Sequence, residues 1–137
     1  MINIYININK TLMAEVIFAS SYDEKNPPSN IFTSNKGECF TSTGMYPQEL
    51  CIQFNTAKPI KNVNLTSYGI KSVQIQTCEN DSVVNFTKQA GQSEVPNSQG
   101  LQNISLALTS SPLVKVLKIV VLEGYEDFFS IHTATFQ

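Results

Sequence analysis

Apolar and polar residues alternate with a period of two along most of this chain. A β-strand turns successive side chains to opposite faces, so this alternation predicts strands that each bury one face. No stretch keeps an apolar stripe at helical spacing for more than two turns, and the chain is therefore expected to be all-β. The alternating apolar positions are Ile2, Ile4, Ile6 and Ile8; Leu50, Ile52 and Phe54; Val63 and Leu65; Val73 and Ile75; and Ile104, Leu106 and Leu108.

Two further segments indicate strands of a different kind. Residues 113–122 are almost continuously apolar and β-branched, which predicts a central strand covered on both faces. Residues 131–136 are rich in threonine and other strand-forming residues and close the chain. The best helical candidate is a short turn over 28–32, which the Pro27-Pro28 pair could start.

Turn-forming residues separate these segments and set their spacing. Short strands at intervals of about 8 to 12 residues are typical of a β-sandwich or barrel. We therefore predict a single-domain β-sandwich over residues 1–137, in which the last and longest polar stretch forms a mobile surface loop. The predicted loops are Asp23–Ser29, Thr33–Gly37, Asn55–Pro59, Glu79–Ser82 and Gln89–Gly100.

Composition and charge exclude several functional classes. The chain has 42% hydrophobic and 15% charged residues, enough apolar material for a core. A net charge of -2 and dispersed Lys and Arg residues give no field that would recruit nucleic acid or anionic lipid. The N-terminus resembles no signal peptide, and Lys115 and Lys118 interrupt the longest apolar run. We expect a soluble, intracellular protein without membrane insertion.

No arrangement of residues in the sequence supports catalysis. His132 is the single histidine and lies in a strand pattern, where a structural role is the usual one. The cysteines Cys39, Cys51 and Cys78 are scattered, so neither a zinc nor a redox motif is present. Acids are dispersed and no phosphate-binding glycine motif occurs. We predict no enzyme. A sugar site remains open, since Tyr22, Tyr46, Tyr68 and Tyr125 lie in or beside predicted loops, although amphipathic packing of these rings is favoured.

Two sequence blocks carry a specific resemblance. Residues 15–31 read EVIFASSYDEKNPPSNI, and residues 41–50 read TSTGMYPQEL. Weaker matches follow at Ser67-Tyr68, at 100–103 and at 128–132. Together they make the chain similar to the intraflagellar transport protein 25 family, whose fold is a discoidin-like (galactose-binding-like) jelly roll. The resemblance covers nearly the whole chain.

The resemblance implies a partner and no reaction. Members of the family pair with a Rab-like small GTPase, intraflagellar transport protein 27, within the B complex of ciliary transport. We therefore expect an adaptor found in the cilium or flagellum and in the cytoplasm near the basal body. An interface with an apolar centre and a polar rim would suit the second block. The expected interface residues are Thr41, Thr43, Met45, Tyr46, Gln48 and Tyr68.

Tyr46 offers a direct check of this interface. Its replacement by alanine is expected to weaken partner binding with little effect on thermal unfolding. A purely structural role for the block, turning the chain from loop to strand around Gly44 and Pro47, is an equally weighted alternative.

One departure from the family concerns calcium. Family members often carry an Asp-Gly step followed by Thr-Phe-Trp, a set that resembles a calcium site. Here Thr33-Ser34 and Glu38-Cys39-Phe40 stand at those positions, so the best carboxylate ligand is absent. We expect no cofactor and weak or no calcium binding by the degenerate loop at Thr33 and Glu38. The departures also leave two rival functions open: a divergent paralogue that is a structural axonemal or ciliary protein, and a residual glycan-binding module.

Overall fold

The computed structural model describes residues 14–33, 35, 37–81 and 88–137, with the side chains of 88 and 89 left out. The described residues form nine strands and one short 3-10 helix, η1. In chain order these are β1 (Ala14–Ala19), η1 (Pro28–Phe32), β2 (Phe40–Thr41), β3 (Gln48–Pro59), β4 (Asn62–Tyr68), β5 (Ile70–Cys78), β6 (Lys88–Glu94), β7 (Gln102–Ala107), β8 (Leu113–Gly124) and β9 (Ser130–Phe136).

The strands build two antiparallel sheets. The five-stranded sheet has the order β1-β3-β8-β5-β6, and the four-stranded sheet has the order β2-β9-β4-β7. Every pairing between neighbouring strands is antiparallel. The all-β jelly-roll sandwich predicted from the sequence is therefore confirmed.

The core lies between the two sheets. On β3 the alternating residues Leu50, Ile52 and Phe54 are all buried, and they belong to one cluster with Leu65 of β4 and Ile131 of β9. Edge-to-face aromatic pairs cross the core, with ring centroids 5.7 Å apart for Phe40–Phe129 and 5.5 Å apart for Phe54–Phe136. The alternating apolar residues of the sequence thus lie on the inner faces of the sheets.

The predicted central strand and helical turn are both confirmed. β8 lies in the middle of its sheet, between β3 and β5. Leu117 and Ile119 face the main core, whereas Val116 is buried on the opposite face with Cys51 and Cys78. This double burial explains why 113–122 lacks clean alternation. The 3-10 helix occupies the predicted positions and buries Pro28 and Ile31.

Two predicted loops are strands in the structure. The first prediction, Asn55–Pro59, is wrong because β3 runs on to Pro59. Lys58 and Pro59 pair with Val114 and Leu113, and the polar residues before them lie in a register shift between β3 and β8. The second, Gln89–Gly100, is wrong in its first half because β6 pairs with β5 over Lys88–Glu94. β6 is the outermost described strand of its sheet, where polar residues can face water, while Ala90 and Val95 are buried.

The start of the chain differs from the sequence prediction in another respect. The predicted strand over Ile2–Ile8 lies outside the described residues. β1, which the alternation did not indicate, follows at Ala14–Ala19, and its register with β3 shifts between Val16 and Phe18. That bulge breaks the period of two and hides the strand from pattern analysis.

A buried glutamine joins the two sheets at one end. Gln102 is 5% exposed, and its Oε1 accepts hydrogen bonds from Ser67 Oγ and from the Ile70 amide, both at 3.0 Å. Its Nε2 donates to the Ile70 carbonyl at 2.8 Å. The side chain therefore satisfies both backbone groups of Ile70 at the turn between β4 and β5.

We expect Gln102→Ala to lower the free energy of unfolding by about 2–4 kcal/mol, because it leaves several buried polar groups without partners. Urea unfolding followed by tyrosine fluorescence measures the effect. Asn103→Ala, an exposed neighbour on the same strand, is the control and is expected to change stability by less than about 0.5 kcal/mol. Equal effects of the two substitutions would contradict the role given to Gln102.

Candidate functional site

The loop over residues 42–47, here called the Met45 loop, is tied to the end of the first described strand by Ser21. Ser21 Oγ accepts hydrogen bonds from the amides of Thr43 at 3.0 Å and Gly44 at 2.9 Å. It donates to Gln48 Oε1 at 2.6 Å. The two blocks that carry the family resemblance are therefore in direct contact, and one fixes the conformation of the other.

Gln48 does not have the exposed role expected from the sequence. Only 7% of the residue is exposed. Its Nε2 donates to the Met45 carbonyl at 2.5 Å while its Oε1 accepts from Ser21. Both ends of the amide are occupied inside the protein, so Gln48 holds the loop and presents no free polar group to a partner.

Ser42 connects the Met45 loop to a second loop, residues 125–129. The Ser42 amide donates to the Phe129 carbonyl at 3.0 Å, and Ser42 Oγ accepts from the Phe129 amide at 3.0 Å. Ser42 is 1% exposed. Residues far apart in the sequence thus form one rigid end of the sandwich.

Tyr46 and Tyr68 meet at Glu126. The Tyr46 hydroxyl donates to the Glu126 backbone carbonyl at 2.9 Å, and the Tyr68 hydroxyl donates to Glu126 Oε2 at 2.5 Å. Burial and then the charges of Asp127 and Glu126 raise the pKa of the Tyr46 hydroxyl. The hydrogen bond to Glu126, followed by its charge, raises the pKa of Tyr68. Both hydroxyls therefore stay protonated donors at neutral pH.

Three exposed apolar residues belong to the segments that carry or adjoin these tyrosines. Met45 is 87% exposed, Leu101 52% and Phe128 39%. The rings of Phe128 and Tyr68 are 6.2 Å apart. Ser67 pairs with Gln102, and Tyr68 and Leu101 are the next residues along at this end of β4 and β7. We call the surface formed by Met45, Tyr46, Tyr68, Leu101 and Phe128 the end patch.

Two glycines make room for the end patch. A Cβ on Gly124 would overlap the hydroxyl of Tyr46, so only glycine leaves space for that ring. Gly69 has a φ of +83° in the turn between β4 and β5, and a Cβ there would lie 3.2 Å from the Phe128 carbonyl. The Gly69 carbonyl accepts the Tyr125 amide at 2.9 Å and so anchors the second loop.

The remaining interface candidates divide between surface and interior. Thr43 is exposed on the Met45 loop. Thr41 is half-buried on β2, where its Oγ1 lies 3.5 Å from Cys39 Sγ, so its hydroxyl points to a neighbour outside the end patch. Tyr46 is half-buried and packs on the core, with its ring 6.1 Å from that of Phe129. Its truncation is therefore a poor test of binding, because stability would change too.

Leu101, Glu126 and Phe128 were not predicted from the sequence as site residues. Each lies in or beside a loop far from the second block, so no local motif connects them to Met45. The weaker family matches at 100–103 and 128–132 contain two of them and were the available signal.

The degenerate calcium loop brings no cluster of ligands together within the described residues. The Thr33 hydroxyl donates to the Asn30 carbonyl at 3.1 Å, and Glu38 is exposed and accepts a hydrogen bond of 3.4 Å from Asn35 Nδ2. In the part of the chain that the structure describes, no group of three or more His, Cys, Asp or Glu residues could hold a metal ion.

The other candidates for chemistry lie apart from the end patch. His132 Nε2 is 3.4 Å from Ser130 Oγ on β9. Tyr22 is 47% exposed and, with Phe18 and the Pro27-Pro28 pair, lines a groove of about 200 Å³ beside β1. The three cysteines are free thiols. In the described residues, no helix is long and apolar enough to cross a membrane.

Comparison with curated proteins decides the family. The chain is 30% identical to the human intraflagellar transport protein 25 homolog over 122 residues, which cover 89% of this chain and 84% of the human protein. The Chlamydomonas reinhardtii protein, intraflagellar transport protein 25, is 23% identical over 85% of this chain and 61% of its own length. The chain belongs to the intraflagellar transport protein 25 family. As a member of this family it is an intraflagellar transport protein of the cilium or flagellum. No protein-family profile matches the sequence.

Solved structures confirm the discoidin-like fold of this family member. A family 32 carbohydrate-binding module of Clostridium perfringens NanJ, in complex with galactose, superposes with a TM-score of 0.72 and 17% identity over 93% of each chain. A chain from the structure of reduced XRCC1 bound to the DNA polymerase β catalytic domain gives a TM-score of 0.77 with 14% identity, covering 92% of this chain and 97% of that one. At these identities the similarity describes the fold alone.

We expect Gly124→Ala to lower the free energy of unfolding by about 1–3 kcal/mol, because the added methyl group overlaps the Tyr46 ring. In a Tyr46→Ala background the same change is expected to cost less, since the overlap is gone. Gly100→Ala, where a Cβ meets nothing within 4 Å, is the control. An equal cost in both backgrounds, measured by urea unfolding, would place the strain elsewhere.

We expect calcium to bind weakly or not at all, because Thr33 and Glu38 offer a single carboxylate where calcium prefers several oxygen ligands. Calorimetric titration of the purified protein with calcium chloride measures this directly. Tight binding that disappears in Glu38→Gln would show that the loop rearranges into a site.

Proposed function

We propose that this protein is a non-catalytic adaptor subunit of the intraflagellar transport B complex and binds a Rab-like small GTPase through the end patch. The partner is similar to intraflagellar transport protein 27, and the complex operates in the cilium or flagellum and in the cytoplasm near the basal body. The observation that carries this proposal is that exposed Phe128 packs on Tyr68 and that Tyr68 shares Glu126 with Tyr46, the residue that follows exposed Met45.

The end patch has the composition of a protein interface. Aromatic residues and methionine are enriched at the centres of such interfaces, and a polar rim surrounds them. Here Thr43, Glu126 and Asp127 are exposed and adjoin the apolar residues in the two loops. Scattered single apolar residues on a surface need no explanation, but a contiguous group marks an interaction site.

The patch is also rigid before a partner arrives. The Met45 loop is fixed by Ser21 and Gln48, and the second loop by Ser42 and Gly69. A surface that needs no ordering on binding loses little conformational entropy, which favours a stable complex. This construction suits a stoichiometric partner in a lasting assembly.

We expect Met45→Asp to weaken binding of the GTPase at least about tenfold, because a carboxylate enters the apolar centre of the patch. Binding is measured with the purified proteins by calorimetry. Since Met45 is 87% exposed, the melting temperature of the variant is expected to stay near that of the wild type. Leu113→Asp is the matched control. Leu113 is 47% exposed and is the first residue of β8, so it lies at the opposite end of that strand from Gly124, which adjoins the patch.

Four outcomes would contradict the proposal. Wild-type protein that does not bind the GTPase would remove the adaptor function. Retention on a glycan array, or co-purification with tubulin and axonemal proteins in place of the GTPase, would replace it with a lectin or a structural role. Equal effects of Met45→Asp and Leu113→Asp would move the interface away from the end patch.

A further inference from the structure

We infer that the partner segment that docks on the end patch carries an apolar anchor flanked by lysine or arginine side chains. This inference rests on the proposed function and adds the chemistry by which the partner is recognised. The apolar anchor would lie against Met45 and Phe128, and the basic side chains would pair with Glu126 and Asp127.

The two carboxylates at the patch have no ion pair inside the described part of the molecule. The ion pairs there are Lys115–Asp81 at 3.9 Å and Lys118–Glu49 at 3.4 Å, both on other parts of the surface. Glu126 and Asp127 are exposed, and the hydrogen bond that Glu126 accepts from Tyr68 leaves its charge uncompensated. The rim of the end patch is therefore negative.

The position of this charge is fixed. Tyr68 holds the Glu126 carboxylate, and the Tyr46 hydroxyl holds the Glu126 backbone, so the Glu126 carboxylate cannot easily turn away from the patch. Burial raises the pKa of the Tyr46 hydroxyl, and the charges of Asp127 and Glu126 raise it further. The cation beside this loop, Lys71, lies over the Tyr125 ring at 5.8 Å from its centroid and makes no ion pair with either carboxylate.

Charge of one sign at the rim of an apolar interface selects its partner. It speeds the encounter with a surface of opposite sign and opposes one of the same sign. A partner with an acidic or neutral docking segment would gain nothing from Glu126 and Asp127. A basic flank is attracted to these carboxylates at separations up to about one Debye length, which is about 8 Å at physiological salt. The geometry thus favours a basic segment next to the apolar anchor.

The test compares two double variants that change the net charge equally. Glu126→Gln with Asp127→Asn neutralises the rim, and Glu79→Gln with Asp81→Asn neutralises an exposed acidic pair that follows the opposite end of β5. Association of each with the purified GTPase is measured by stopped flow or surface plasmon resonance at several salt concentrations. We expect the rim variant to associate about three- to tenfold more slowly at low salt and to lose most of its salt dependence. The control pair is expected to behave as the wild type.

The outcomes separate this inference from the proposed function. If the GTPase binds the wild type and both double variants equally at every salt concentration, or if the two variants slow association equally, the basic flank is wrong and the proposed function is unaffected. If the GTPase does not bind the wild type, the proposed function fails and the inference fails with it.

Discussion

The hydroxyl of Ser21 is the contact on which the candidate site depends. It accepts two amides of the Met45 loop and donates to Gln48, whose own amide group closes the loop at the Met45 carbonyl. Without it, the three hydrogen bonds that join Ser21 to the loop and to Gln48 would be lost, and Met45 would be held less firmly. Because Gln48 begins β3, the loop is attached to a strand of the larger sheet. The exposed side chain of Met45 is thereby presented from a loop that Ser21 and Gln48 hold in place.

The sandwich supplies the second half of this frame. β4, β5, β7, β8 and β9 all begin or end near the patch, and the turns between them are fixed by Gln102, Gly69 and Ser42. Loops at the ends of a sandwich can vary while the core stays constant, which is how one fold serves unrelated functions. In this protein the loops use backbone hydrogen bonds to hold an aromatic surface.

The sequence predicted the sheets better than their edges. Alternation identified β3, β4, β5 and β7, because a strand that buries one face has an apolar residue at every second position. Continuous apolarity identified β8, which is buried on both faces. β6 was taken for a loop because the outermost strand of a sheet can be polar, and β1 was missed because its bulge interrupts the period.

The site was predicted in part. Met45, Tyr46 and Tyr68 were identified from the family blocks, but Gln48 was placed on the surface, because its burial depends on Ser21. Leu101, Glu126 and Phe128 join the patch only through tertiary contacts.

Hydrogen exchange of the protein alone and in complex with the purified Rab-like GTPase tests the central claim most directly. A partner seated on the end patch is expected to slow exchange at the exposed amides of residues 43–47 and 125–128 and around Leu101, and to leave β1 and β6 unchanged. Protection confined to β1 or β6, with the two loops exchanging as in the free protein, would show that the partner binds elsewhere and would contradict the account.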